Sequence, residues 1–310
     1  MSKIAFLFPG QGSQSVGMGQ ALAQQFPAAQ AIFEQADQIL GFPLSQQMWD
    51  GPAEELNDTI NTQPALMIHS IAALRIFQEQ FPEIRAAFVA GHSMGELSAL
   101  VAAEAIPFDA ALQLVRRRGE LMKTAGERSP GGMAAILGLS ISQVEAVCAQ
   151  ASEADGIVQV ANDNCPGQVV ISGTEPALER AMELAREAKA RRVIPLAVSI
   201  AAHSPLMAHA QEGFNRAVDA APISNPAIPV IGNVSAQPLA DAAQIRADLQ
   251  AQLRSTVRWT ESIQYLLAQG VDTFIEIGNG DVLSGLVKRI NRKTKRFSFG
   301  KPEDAASIRV

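Results

Sequence analysis

The chain has 310 residues, of which 47% are hydrophobic and 18% charged, and a formal net charge of −6. This suits a soluble globular protein with a sizeable core, as one large domain with a smaller one inserted or appended, and argues against a globally basic nucleic-acid binder. Two cysteines, Cys148 and Cys165, can neither staple such a chain nor hold a metal, so the expected compartment is the cytoplasm and no metal is expected.

The run KIAFLF (3–8) reads as a short buried strand, too brief for a signal-peptide core. No apolar run approaches the ~20 residues of a membrane span. Residues 63–80 read as a helix starting near Asn61 or Thr62, 85–91 as a second buried strand, and 94–104 as a helix. A further helix runs from about Pro107 to Ala125, and GERSPGG (126–132) reads as a breaker cluster and candidate hinge. From 132 to 198 the order is β-α-β-β-α-β, that of a ferredoxin-like unit. Strand–helix alternation then resumes, so the outer segments predict a parallel-sheet α/β domain with helices on both faces.

Gly91-His92-Ser93-Met94-Gly95 fits G-x-S-x-G in its required strand–turn–helix setting. The flanking glycines let the backbone crowd, and the following helix start points N–H groups at Ser93. Ser93 is therefore either an exposed nucleophile or an ordinary helix N-cap. A nucleophilic serine needs a base. Of the four histidines, His69 falls mid-helix, His92 faces away across the turn, and His209 reads as helix surface. His203, at a strand–helix junction, is the candidate base; a capping or core role is the alternative.

Arg118 falls on the apolar stripe of Ala111, Leu114, Val115 and Met122, whereas Arg116 points roughly 200° away, toward water. A buried guanidinium needs a partner. That partner is either an internal carboxylate or a substrate carboxylate held in bidentate fashion; a snorkelling side chain is the third possibility.

The ordered segments GQGSQ, TQPAL, GHSMGELSAL, RRRGELM, GQVVISG, AAHSPLM and VRWTESI resemble the malonyl-CoA:acyl-carrier-protein transacylases of fatty acid and polyketide synthesis along nearly the whole chain. The resemblance implies an α/β-hydrolase-like large domain (1–128 and 199–310) and a ferredoxin-like small domain (129–198). It implies Ser93 as nucleophile, His203 as base oriented by the backbone carbonyl of Gln252, and the N–H groups of Gln11 and Met94 as oxyanion hole. Arg118 is implied to hold the malonyl carboxylate, with Gln63, Asn162 and Asn164 lining the pocket. The implied donor is malonyl-CoA, with no bound cofactor. The implied partner is a phosphopantetheinylated acyl carrier protein, and the implied state a cytoplasmic monomer without nucleic-acid or membrane partners. Two positions depart from the family pattern. Ala202 stands where related enzymes carry Phe or Ser, which loosens malonyl selectivity. Asn279 replaces a common Pro, with only a local effect expected. The basic run KRINRKTKR (288–296) is either a docking patch for an acidic carrier or a solvated face. A serine hydrolase or thioesterase and a catalytically silent carrier-binding subunit are the alternatives.

Overall fold

The structure, a computed structural model, describes residues 2–198 and 200–309. Its strands, in chain order, are β1 (Ile4–Phe8), β2 (Phe88–Gly91), β3 (Gly132–Leu137), β4 (Val158–Cys165) and β5 (Gln168–Gly173), then β6 (Arg192–Pro195), β7 (Val230–Ile231), β8 (Pro238–Leu239), β9 (Thr273–Ile277) and β10 (Lys295–Phe299). Six of them form one sheet in the order β10-β9-β1-β2-β7-β8, parallel except for β8. The remaining four form an antiparallel sheet, β4-β5-β3-β6. With helices Ile141–Asp155 and Glu175–Glu187, that sheet has the ferredoxin-like order expected.

Every residue of β1 and β9 is buried, because helices cover both faces of the large sheet. Side-chain alternation divides β1 between two cores. Phe6 and Phe8 pack with Phe77 and Phe299 on one face, while Ala5 and Leu7 pack with Trp259 and Phe274 on the other. Burying each such aromatic stabilises the sheet by roughly 1.5–3 kcal/mol. The small sheet has its own core around Ile136, Val144, Ile171 and Leu184.

The helix expected to start at 61 or 62 spans Thr59–Gln80 and is capped by the Asp58 carboxylate. It contains Pro64, which cannot donate to the Ile60 carbonyl. Arg116 donates to that carbonyl at 2.8 Å and to Asn61 Oδ1 at 2.9 Å. Arg116 is thus not simply a solvent-facing cation, as its helical phase suggested; it supports the proline-containing turn. Helix Phe108–Arg128 runs three residues past its expected end, which confines the break to 129–131. The expected domain boundary at Ser199 lies outside the described residues. Asn279 reaches further than expected: its Nδ2 donates to Ser13 O at 2.6 Å and Ser15 Oγ at 2.9 Å, so it braces the loop that carries Gln11.

Candidate active site

β2 delivers the chain to Ser93, and helix Gly95–Ala102 leads it away. Ser93 has φ 51°, the left-handed region that side chains disfavour. A Cβ at Gly91 would lie 1.9 Å from Gly95 O, and one at Gly95 would lie 2.3 Å from Phe8 O. Both glycines are therefore required by the tightness of the turn. Asn233 braces it from outside. Its Oδ1 accepts from Ser93 N–H at 2.7 Å and its Nδ2 donates to Gly91 O at 2.7 Å.

His203 is also held at positive φ, 57°. Its carbonyl accepts from Gln159 Nε2 of β4 at 2.8 Å, and the same amide reaches Arg254 O at 3.1 Å. The small sheet thus helps to fix a loop of the large one. His203 Nδ1 lies 2.9 Å from Gln252 O. A carbonyl only accepts, so the Nδ1 proton is on the ring and Nε2 keeps its lone pair. That lone pair faces Ser93 Oγ at 2.8 Å. Burial first and the Arg118 charge second lower the His203 pKa to about 3, so the imidazole is neutral at pH 7.

Gly119 lets helix Phe108–Arg128 approach the Thr59 turn closely, since a Cβ there would lie 2.9 Å from Thr59 O. The approach places Arg118, 1% exposed, against Gln63. One terminal nitrogen of its guanidinium donates to Gln63 Oε1 at 2.7 Å. The other donates to Gln252 Oε1 at 2.8 Å and Ser93 Oγ at 3.2 Å. Among the described residues Arg118 forms no ion pair, and its Nε–H has no acceptor. Burial lowers its pKa to about 10, opposed by the more distant Glu96, so the group is a cation at neutral pH.

These side chains open onto a cavity of about 1340 Å³ between the two sheets, lined in part by Gln11, Ser93, Met94, Arg118, Asn162 and Ala202. Among the described residues the N–H groups of Gln11 and Met94 donate to no protein acceptor. Asn164 also lines the cavity, but its Oδ1 accepts from His92 Nε2–H at 2.8 Å, which turns His92 away from the serine hydroxyl. Gln63 and Gln252 stand one layer back and hold Arg118 rather than forming the wall.

Residues 5–298 match the acyl transferase domain family. The chain belongs to that family. The malonyl CoA-acyl carrier protein transacylase of Bacillus subtilis is 51% identical over 303 residues, covering 98% of this chain and 95% of that protein. An acyl carrier protein S-malonyltransferase structure from Vibrio cholerae superposes with TM-score 0.95 at 42% identity, covering 99% of this chain and 100% of that one. A malonyl-transacylase solved in complex with its type II PKS acyl-carrier protein has TM-score 0.95 at 40% identity, with 99% and 98% covered.

Three site residues of this acyl transferase escaped sequence reasoning: Asn233, Gln159 and Glu96. Asn233 sits in IGNVS after a very short strand, and only its polarity beside a buried run marked it. Gln159 lies on a strand of the other sheet. Glu96 could have been found as an acid beginning an otherwise apolar helix stretch, LSAL.

Proposed function

We propose that this acyl transferase carries malonyl from coenzyme A to the phosphopantetheine thiol of an acyl carrier protein through an ester on Ser93. The observation that carries the reading is Arg118. A buried guanidinium 3.2 Å from the Ser93 hydroxyl, with no ion-pair partner among the described residues, is matched to a donor that bears a carboxylate beside its thioester.

In this reading His203 Nε2 takes the Ser93 proton as Oγ attacks the thioester carbonyl. The His203 imidazolium is stabilised by the Gln252 carbonyl on Nδ1–H. The oxyanion is received by the N–H groups of Gln11 and Met94; one such donor typically contributes about 3–4 kcal/mol. Collapse expels coenzyme A, with the proton returned from His203 to its sulfur. The carrier thiol then attacks the ester in the reverse sense. Malonyl-CoA is the donor substrate, and the chemistry asks for no resident cofactor. Asn162 borders the acyl space, and Gln63 and Gln252 hold the arginine.

Residues 1–128 with 199–310 form the catalytic unit in this proposal, and 129–198 the small unit. We place the protein in the cytoplasm as a monomer; among the described residues no helix is long and apolar enough to cross a membrane. Helix Val282–Ile290 supports carrier docking near the cavity, because Val282, Leu283 and Leu286 are among its lining residues and Lys288 is exposed at the basic end. Arg289, though exposed, and the half-buried Arg296 are engaged by backbone carbonyls, so the patch rests on Lys288, Arg292, Lys293 and Lys295.

Intact-protein mass spectrometry with malonyl-CoA tests the reading. A malonyl mass on Ser93 that holo carrier protein removes supports it. Rapid release of free malonate supports a hydrolase, and no adduct supports a silent carrier-binding subunit.

A further inference from the structure

Glu96 lies in the first turn of the helix after Ser93, wholly buried, and the mechanism above gives it no task. Its Oε2 accepts from Gln252 Nε2 at 2.6 Å. Its Oε1 faces no hydrogen-bond donor among the described residues.

Gln252 joins the other parts of the site. Its Oε1 accepts from Arg118 at 2.8 Å, its Nε2 donates to Ser93 O at 3.1 Å, and its backbone carbonyl accepts from His203 at 2.9 Å. Glu96 and Ser93 O together fix which way the amide points. A flipped amide would set its NH2 against the guanidinium, donor against donor.

One turn earlier on the helix of Gln252, the buried Asp248 carboxyl lies within hydrogen-bonding reach of Glu96. Two carboxyls bond only when one holds a proton. Asp248 already accepts from Ser235 N–H at 3.2 Å and Val234 N–H at 3.4 Å. Glu96 Oε1 is the oxygen without a donor, so the proton belongs there. The electrostatics agree: burial foremost and Asp248 second push the Glu96 carboxyl well above the usual range, against the Gln252 amide and the Asn233 backbone N–H, which lies beyond bonding distance. Arg118, on the facing helix, is a cation near enough to feel the Glu96 carboxyl.

We propose that Glu96 is a positioning residue held as a neutral carboxylic acid, which orients Gln252 while leaving the Arg118 charge uncompensated for the donor carboxylate. An ionised Glu96 would act through one amide as the counter-ion of Arg118 and weaken its pull on an incoming anion. The inference rests on the malonyl-transfer reading.

Its test compares wild type, Glu96→Gln and Glu96→Ala with malonyl-CoA and acetyl-CoA, and takes infrared spectra of wild type and Glu96→Gln at neutral pH. Gln can offer a carbonyl to Gln252 and an amide N–H to Asp248, as a protonated Glu does. Glu96→Gln is expected to keep malonyl kcat/KM within about threefold of wild type. Glu96→Ala is expected to lose roughly tenfold or more, mainly through KM, and to lose less with acetyl-CoA. The wild-type spectrum is expected to hold a protonated-carboxyl band that Glu96→Gln lacks. Equal damage in both variants, or no such band, overturns the neutral acid. Wild-type kinetics in Glu96→Ala overturn the positioning role. If Glu96→Ala does not fold, Glu96→Gln and the infrared band decide. A wild type that takes no malonyl overturns the functional reading instead, and the band still reports the Glu96 proton.

Discussion

Ser93 and His203 are 110 residues apart, meet at 2.8 Å, and both adopt positive φ, 51° and 57°. Each such conformation costs of order 1–3 kcal/mol and persists only where the surroundings over-determine it. Here the surroundings are specific: Asn233 clamps the serine turn from both sides, and Gln159 clamps the histidine carbonyl from the small sheet. The geometry of the pair therefore depends on residues that touch neither reacting atom.

Asn233→Ala removes both clamps on the turn and leaves Ser93 N–H and Gly91 O without their partner. We expect serine acylation to slow by about tenfold or more, and the thermal midpoint to fall by roughly a few degrees. Stopped-flow acylation and calorimetry measure the two effects. A wild-type acylation rate would show that the turn holds its shape unaided.

The base must be neutral to act. Because His203 is depressed to about 3 by burial and by Arg118, its base form persists well below the ordinary imidazole range near 6.5. The acid limb of kcat/KM with acetyl-CoA should therefore lie below pH 5. Arg118→Ala removes one of the three depressing causes, burial and His92 being the others, and its limb should move upward toward 6.5. Acetyl-CoA is the donor of choice because its acyl group does not itself titrate. A wild-type limb near 6.5 is incompatible with this environment.

Ala202 lines the cavity beside His203. Phe at this position fills space next to the acyl group. Ala202→Phe should lower methylmalonyl transfer relative to malonyl transfer by about tenfold, since a pocket discriminates one methyl by roughly 1–3 kcal/mol. Competition between the two donors measures the ratio; an unchanged ratio would place the acyl branch away from Ala202.

The α/β class, the two-sheet organisation and the position of the serine turn were legible because they depend on local periodicity and on glycines flanking a serine. Arg118 stood out for the same reason, as a charge on an apolar stripe. The start of helix Thr59–Gln80 was hidden because Pro64 argues against it, and its support, Arg116, comes from another helix. Asn233 and Gln159 were illegible as site residues, and Asn279 stood out without its reach, because each acts across more than 40 residues through one amide, which leaves no periodic trace.

The claim on which the rest depends is that Arg118 reads the carboxylate of the donor. Steady-state kcat/KM of Arg118→Ala with malonyl-CoA and with acetyl-CoA tests it most directly. Malonyl transfer should fall by about 10²-fold or more while acetyl transfer is retained or rises, reversing the donor preference. Equal losses with both donors would contradict the account, because they would make Arg118 a support of the serine turn and not a reader of the substrate.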